Sequence, residues 1–206
     1  MKKISVYTAA TVVAAQILTP VAMATEHLTL PSHHAPIGVM GDHTHDKGEW
    51  MFSYRYGRMG MEGNRDGNSE VSTASVLNDF MVAPLKMDTT MHMFGAMYGA
   101  TDGVTLMAMM PYIYKTMDHI NRGGTEFTTT AEGFGDVKLT SLVKLYEQKN
   151  HNIILKAGLG LPTGSVNQRD RTPMGPDQKL PYPMQLGSGT FDPILGLTYN
   201  GRQHHW

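Results

Sequence analysis

Cysteine is absent from the 206 residues. No disulfide can therefore brace the fold, and no lipid-modified Cys can follow the apolar N-terminal stretch. Charge is scarce, with 17% of residues charged and a formal net charge of −1, which excludes the strong field that nucleic acid or a highly charged partner would need. Beyond the N-terminus no apolar run is long enough to cross a bilayer as a helix. A nucleophile motif is lacking too. Ser53, Ser141, His92 and Asp136 supply the residue types of a hydrolase without any spacing that joins them, so the chain is expected not to be an enzyme. Stability must come from a network of strands, an apolar core, or both.

What is present begins with an export signal. Lys2 and Lys3 precede an apolar stretch from Ile4 to about Val21, which ends in Ala22-Met23-Ala24. Small residues at Ala22 and Ala24 suit signal peptidase, so residues 1–24 are expected to be a signal peptide cleaved before Thr25. An uncleaved N-terminal anchor is the alternative. The rest is rich in Gly (22) and Met (17), a β-leaning composition that fits a soluble sandwich as well as a membrane barrel.

Period-two alternation says more. In Gly48 to Met59, Trp50, Phe52, Tyr54 and Tyr56 share one face, while Glu49, Met51, Ser53, Arg55 and Gly57 share the other. Thr89 to Gly99 and Val104 to Thr116 form the next pair across Asp102-Gly103, a dipeptide that tolerates positive φ in tight turns. Phe94, Ala96 and Tyr98 face the same way as Leu106, Ala108 and Met110. Gly135 to Tyr146 and Asn152 to Leu161 follow, joined by Glu147 to His151, and Thr190 to Asn200 is the sixth strand.

Connections alternate in length. Gly60 to about Met87, Met117 to Phe134 and Pro162 to Gly189 are long, whereas Ala100 to Gly103 and Glu147 to His151 are short. Transmembrane barrels show this pattern, with the short turns in the periplasm. Ser75 to Phe80 is expected to form a helical turn in the first long loop. Aromatics mark both strand ends, as two interfacial girdles would: Trp50, Tyr98, Tyr146 and Tyr199 at one, Tyr56, Tyr112, Tyr114 and Phe191 at the other. Tyr146 alone has the wrong parity for the outer face.

The fold class expected is all-β, an antiparallel up-and-down transmembrane barrel, with a soluble periplasmic sandwich as the alternative. Residues 25–47 form a His-rich periplasmic segment, and residues 48–206 supply about six strands. Single-chain bacterial barrels need at least about eight strands, and lipid leaves no edge unpaired. The chain is therefore expected to hold part of a barrel, as a fragment or as a subunit that closes by oligomerising.

Three segments resemble a known family: His34-Ala35-Pro36-Ile37-Gly38-Val39-Met40-Gly41-Asp42-His43, then Gly48 to Tyr56, then Gly133-Phe134-Gly135-Asp136 with Leu161-Pro162-Thr163-Gly164 downstream. They resemble the outer-membrane barrel family named for the meta-pathway of phenol degradation, whose members are usually called transporter-like proteins. The resemblance covers roughly residues 34 to 201. It implies a barrel, further strands beyond those present, and passage of hydrophobic or aromatic small molecules, and it supplies no catalytic residue. Gly133 to Asp136 lacks the Lys-Ser or Lys-Thr of a phosphate loop. Its glycines are expected to permit bends or close packing at a strand start.

Two constellations have metal chemistry. His33, His34, Asp42, His43, His45 and Asp46 are imidazole and carboxylate ligands for copper, zinc or nickel, and in an extended segment His43 and His45 lie on one side. A solvated tail that binds nothing is the plain alternative. Met51, Met59, Met91, Met93, Met97, Met107 and Met109 share the inner parity, and their thioethers suit Cu(I). The same side chains also serve as adaptable core filling. No other cofactor is expected.

The leading functional expectation is a channel or transporter for small molecules in the outer membrane of a Gram-negative bacterium, its lumen polarised by Arg55, Asp136, Lys138, Lys144 and Lys156. A copper- or zinc-binding envelope protein and a purely structural barrel are the alternatives. Expected partners are outer-membrane lipid, the barrel-assembly machinery and a small solute.

Overall fold

Alternating strands assemble into one main antiparallel sheet. The computed structural model describes residues 40–148 and 151–201, all within the compact unit Ala35–Trp206. The expected signal peptide, and His33 and His34, lie outside the described residues.

In chain order the elements are β1 (Trp50–Glu62), the hairpin β2 (Asn64–Asp66) and β3 (Ser69–Val71), helix α1 (Thr73–Asp79), β4 (Val82–Thr101) and β5 (Val104–Asn121). There follow β6 (Glu126–Phe134), β7 (Val137–Gln148), β8 (His151–Leu161), the hairpin β9 (Arg169–Thr172) and β10 (Gly175–Lys179), a 3-10 turn at Tyr182–Met184, and β11 (Asp192–Gly201). The main sheet has seven strands, in the order β1-β4-β5-β7-β8-β11, with β6 beside β5. β5 is shared: its first half pairs with β7 and its second half with β6. Among the described residues β1 and β11 end the sheet without pairing each other, so the sheet is open.

The expected faces form. Trp50 pairs with Tyr98 and Tyr54 with Phe94, rings 4.7 and 5.5 Å apart, and Phe52 is 76% exposed on the same outer side. At the other edge Leu195 is 81% exposed. The opposite face is closed: Met97 and Met107 are 5% and 6% exposed, and Thr105, Thr140, Leu142 and Ile154 are buried beside them.

Among the described residues no large second sheet covers that inner face; residues 40–47 and the connection 162–189, which carries the small β9–β10 hairpin, do. Residues 40–47 lie over Met97, Met107 and Leu142 at the end with the short turns, hereafter the turn end. Leu180, Met184 and Leu186, from the long connection 162–189, pack on Met87, Ile113, Met117 and Ala131 at the loop end.

Several expectations need correction. Among the described residues the six expected strands all form and β6 adds a seventh to the main sheet, two small hairpins lie outside it, and most of the segments read as long loops at 60–87 and 117–134 are strand. The alternation continues through Met59 and Met61, through Met87 and Thr89, and through Lys115, Met117 and His119, but polar neighbours on the outer side disguise it. Neither Asp102 nor Gly103 takes positive φ; the turn is accommodated by a register shift between Gly99 and Thr101. A bulge between Lys144 and Tyr146 inverts parity and sets Tyr146 opposite the outward Ile153, so the one discordant aromatic joins the outer face. The helical turn is α1, capped by the Ser72 hydroxyl accepting from Ser75 N–H.

Candidate functional site

Cross-strand register lays the methionines out in rows. Met51, Met97 and Met107 are direct partners on β1, β4 and β5 at the turn end. One row further Ser53, Gly95 and Met109 align, and beyond them Arg55, Met93 and Pro111. A second complete row, Met61, Met87 and Met117, lies at the loop end. Met61, Met87 and Met117 escaped the sequence reading because they fell in segments taken for loops; their unbroken parity with Met51, Met97 and Met107 was the available signal.

Residues 40–47 roof the turn-end row. Gly48 N–H donates to Gly99 O at 2.7 Å, and Gly99 N–H donates to Glu49 O at 2.9 Å. His45 N–H donates to Thr105 Oγ1 at 2.8 Å, and Asn200 Nδ2 of β11 donates to Asp42 O at 2.7 Å. Only glycine allows this approach at position 99, because a Cβ there would overlap the Asp46 carbonyl. Beneath the segment is a small cavity, about 50 Å³, lined by His43 and Asp42 from the roof and by Met51, Met97, Met107 and Arg55 from the sheet. Met40, Met93 and Met109 complete its sulfur lining.

The two imidazoles of the roof meet edge to face, with ring centres 4.9 Å apart. Each turns Nδ1 toward a carboxylate: His43 to Asp42 at 3.0 Å, and His45 to Glu49 at 3.6 Å. An N–H facing a carboxylate leaves the lone pair on Nε2. His45 Nε2 is buried and has no hydrogen-bond partner among the described residues. Burial, and then the adjacent His43, hold the His45 pKa below the ordinary imidazole range, against the opposing pull of Glu49 and Asp46.

Of the expected metal-binding set, Asp42, His43, His45, Met93, Met97, Met107 and Met109 thus come together at the turn end. Asp46 is exposed and contributes backbone, and Met91 packs instead against the loop-end cluster. Among the described residues no three His, Asp or Glu side chains gather to hold an ion.

Of the charges expected to polarise a lumen, Lys138 is near enough to Asp136 and to Lys156 to act on both, and the others stand apart in different local settings. Arg55 lines the small cavity, Lys144 pairs with Glu147 at 2.9 Å, and Lys156 lies across from Leu142. Lys138 stands exposed between Met109 and Gly160. Asp136 is committed to chain architecture: it accepts from Gly164 N–H at 2.8 Å and from Ser188 N–H at 2.7 Å. Thr163 Oγ1 donates to Gly135 O at 3.2 Å and accepts from Val137 N–H at 2.9 Å. Gly133 to Asp136 and Leu161 to Gly164 are therefore one knot in space, and a Cβ at Gly187 would collide with Gly164 O. Burial by itself would raise the Asp136 pKa, but the N–H groups of Ser188 and Gly164 outweigh it and hold the carboxyl below its usual range.

A larger cavity, about 620 Å³, opens at the loop end between the sheet and the connection 162–189. Met81, Met117, Phe127, Met174 and Leu180 give it apolar walls, and Arg122 stands at its side. His119 is stacked on Phe127 and bonded to Thr129 Oγ1 at 3.0 Å. The covering loop is held by Lys115, whose Nζ donates to Pro183 O at 2.8 Å and Gln185 O at 2.6 Å. In comparison with known proteins the chain matches no family model, and no curated protein matches it.

Proposed function

We propose that the chain forms wall strands of an outer-membrane β-barrel through which small apolar or aromatic molecules pass. The observation that carries this reading is the division of the sheet into two faces. In its turn-end half one face is apolar and exposed from β1 to β11, with Trp50, Phe52, Leu106, Leu139, Leu195 and Leu197 all outward, while charged residues such as Arg58, Lys86 and Asp88 occupy the same face at the loop end. A continuous apolar face of that extent is unusual on a protein surrounded by water, and lipid is its natural cover. The other face carries Met, Thr, His, Arg and Lys, a mixed chemistry that supports its reading as the inward side of a barrel wall. In lipid the edges of β1 and β11 must be paired, by further strands or by a second copy.

The solute class follows from the loop-end cavity, which falls within the range of about 300–1,000 Å³ typical of small-molecule sites and has apolar walls. The resemblance to the transporter-like family agrees in kind. The test is planar-bilayer conductance of the full-length protein, with liposome uptake of a small aromatic solute beside it. Measurable conductance and uptake are expected. A folded, membrane-inserted protein that passes neither ions nor solute would overturn the reading.

A further inference from the structure

The turn-end cavity has features that packing alone does not require. A row of leucines would fill the space under residues 40–47 as well as Met51, Met97 and Met107 do. Leucine would not, however, offer three neutral thioethers side by side on adjacent strands. Adjacent strands lie about 4.8 Å apart, so three flexible Met side chains can close on one ion held above the middle strand.

The roof adds the second observation. Imidazoles that ligate metals characteristically give their other ring N–H to a carboxylate, which fixes the tautomer and raises the basicity of the coordinating nitrogen. His43 has that arrangement with Asp42 at 3.0 Å, Glu49 stands 3.6 Å from His45 Nδ1 as an ion-pair neighbour, and the buried Nε2 of His45 has no hydrogen-bond partner among the described residues. In the cavity lining Asp42 is offset by Arg55, and Glu49 beside His45 is solvent-exposed and screened, so the field drawing in a hard dication is weak. Selection is left to donor softness, and thioether with imidazole favours a soft monovalent ion.

We propose that the turn end holds a Cu(I) site built from Met51, Met97 and Met107 on the sheet and from the His43–His45 pair on the roof. The site does not rest on the transport reading: it needs only residues 40–49 seated on β1, β4 and β5. Asp42 and Glu49 act as positioning residues, orienting the imidazoles without touching the ion.

The test is anaerobic titration of the full-length protein, refolded in detergent, with Cu(I) against a chromophoric Cu(I) chelator. X-ray absorption at the copper edge identifies the ligands. One Cu(I) per chain with sulfur and nitrogen neighbours is expected. The triple replacement Met51→Leu, Met97→Leu and Met107→Leu preserves volume and should remove the sulfur signal and most of the affinity. Glu49→Gln lies on an exposed side chain away from the core and should weaken binding by about 10- to 100-fold with folding intact. It also keeps the proposal testable if the triple variant does not fold. The proposal is overturned if copper shows no sulfur neighbour, if Glu49→Gln leaves the affinity unchanged, or if Zn(II) binds as tightly as Cu(I). Binding lost only on replacing His33 and His34 would also overturn it, by assigning the metal to the tail.

Discussion

At the scale of single residues, the closest approaches decide what each position tolerates. Gly99 sits beneath the Asp46 carbonyl, and Gly99→Ala pushes a methyl into that backbone. We expect a loss of about 1–3 kcal/mol, the usual cost of overpacking, read as a lower urea midpoint with faster proteolysis of residues 40–47. Lys115 is a second such point. Lys115→Met leaves the Pro183 and Gln185 carbonyls without their donor, at a cost of about 1–3 kcal/mol. Faster cleavage within residues 173–177 under limited proteolysis is the expected sign; an unchanged rate would mean that the loop is held by its apolar contacts alone.

At the scale of elements, the knot between residues 133–136, 161–164 and 186–188 seats the long connection over the sheet. Its pH dependence has a definite sign. The folded-state pKa of Asp136 is depressed, so its contribution is complete above the ordinary carboxylate value of about 3.9. It declines as the pH falls below that value and is gone once the pH passes the folded-state pKa. Acid titration followed by proteolysis should therefore release residues 162–189 only at the acid extreme. Asp136→Asn should loosen them at neutral pH by about 1–2 kcal/mol and flatten that acid limb.

The elements also show how much the sequence revealed. β1 was legible because Trp50, Phe52, Tyr54 and Tyr56 alternate without interruption. β6 was not: Glu126 to Phe134 is mostly Thr, Glu and Gly, and its place is dictated by the half of β5 that β7 leaves unpaired. Parity alone put Met97 and Met107 on one face with Met51, but no periodicity says where irregular chain will dock. The seating of His43 and His45 over that row therefore emerged only in three dimensions. Tyr146 is the reverse case, where a single bulge undid a correct period.

At the scale of the whole molecule, lipid contact is the property to measure. The chain has two tryptophans, Trp50 on the outer face and Trp206 outside the described residues. With Trp206→Phe, Trp50 reports alone, and brominated lipids should quench its fluorescence strongly. Emission insensitive to bromine would place the aromatic face against protein or water and revive the sandwich reading. Met51 and Met61 are ten residues apart on β1, about 33 Å along a strand, so the two complete methionine rows stand near opposite ends of a span as deep as a bilayer core.

The bond from Asn200 to the Asp42 carbonyl joins positions 158 apart in sequence. A contact of that sequence separation closes a large loop, so it is expected to form late in folding. The roof is thus fastened last from β11, whereas the donors proposed for copper need only residues 40–49 on β1, β4 and β5 and would stand together before that fastening.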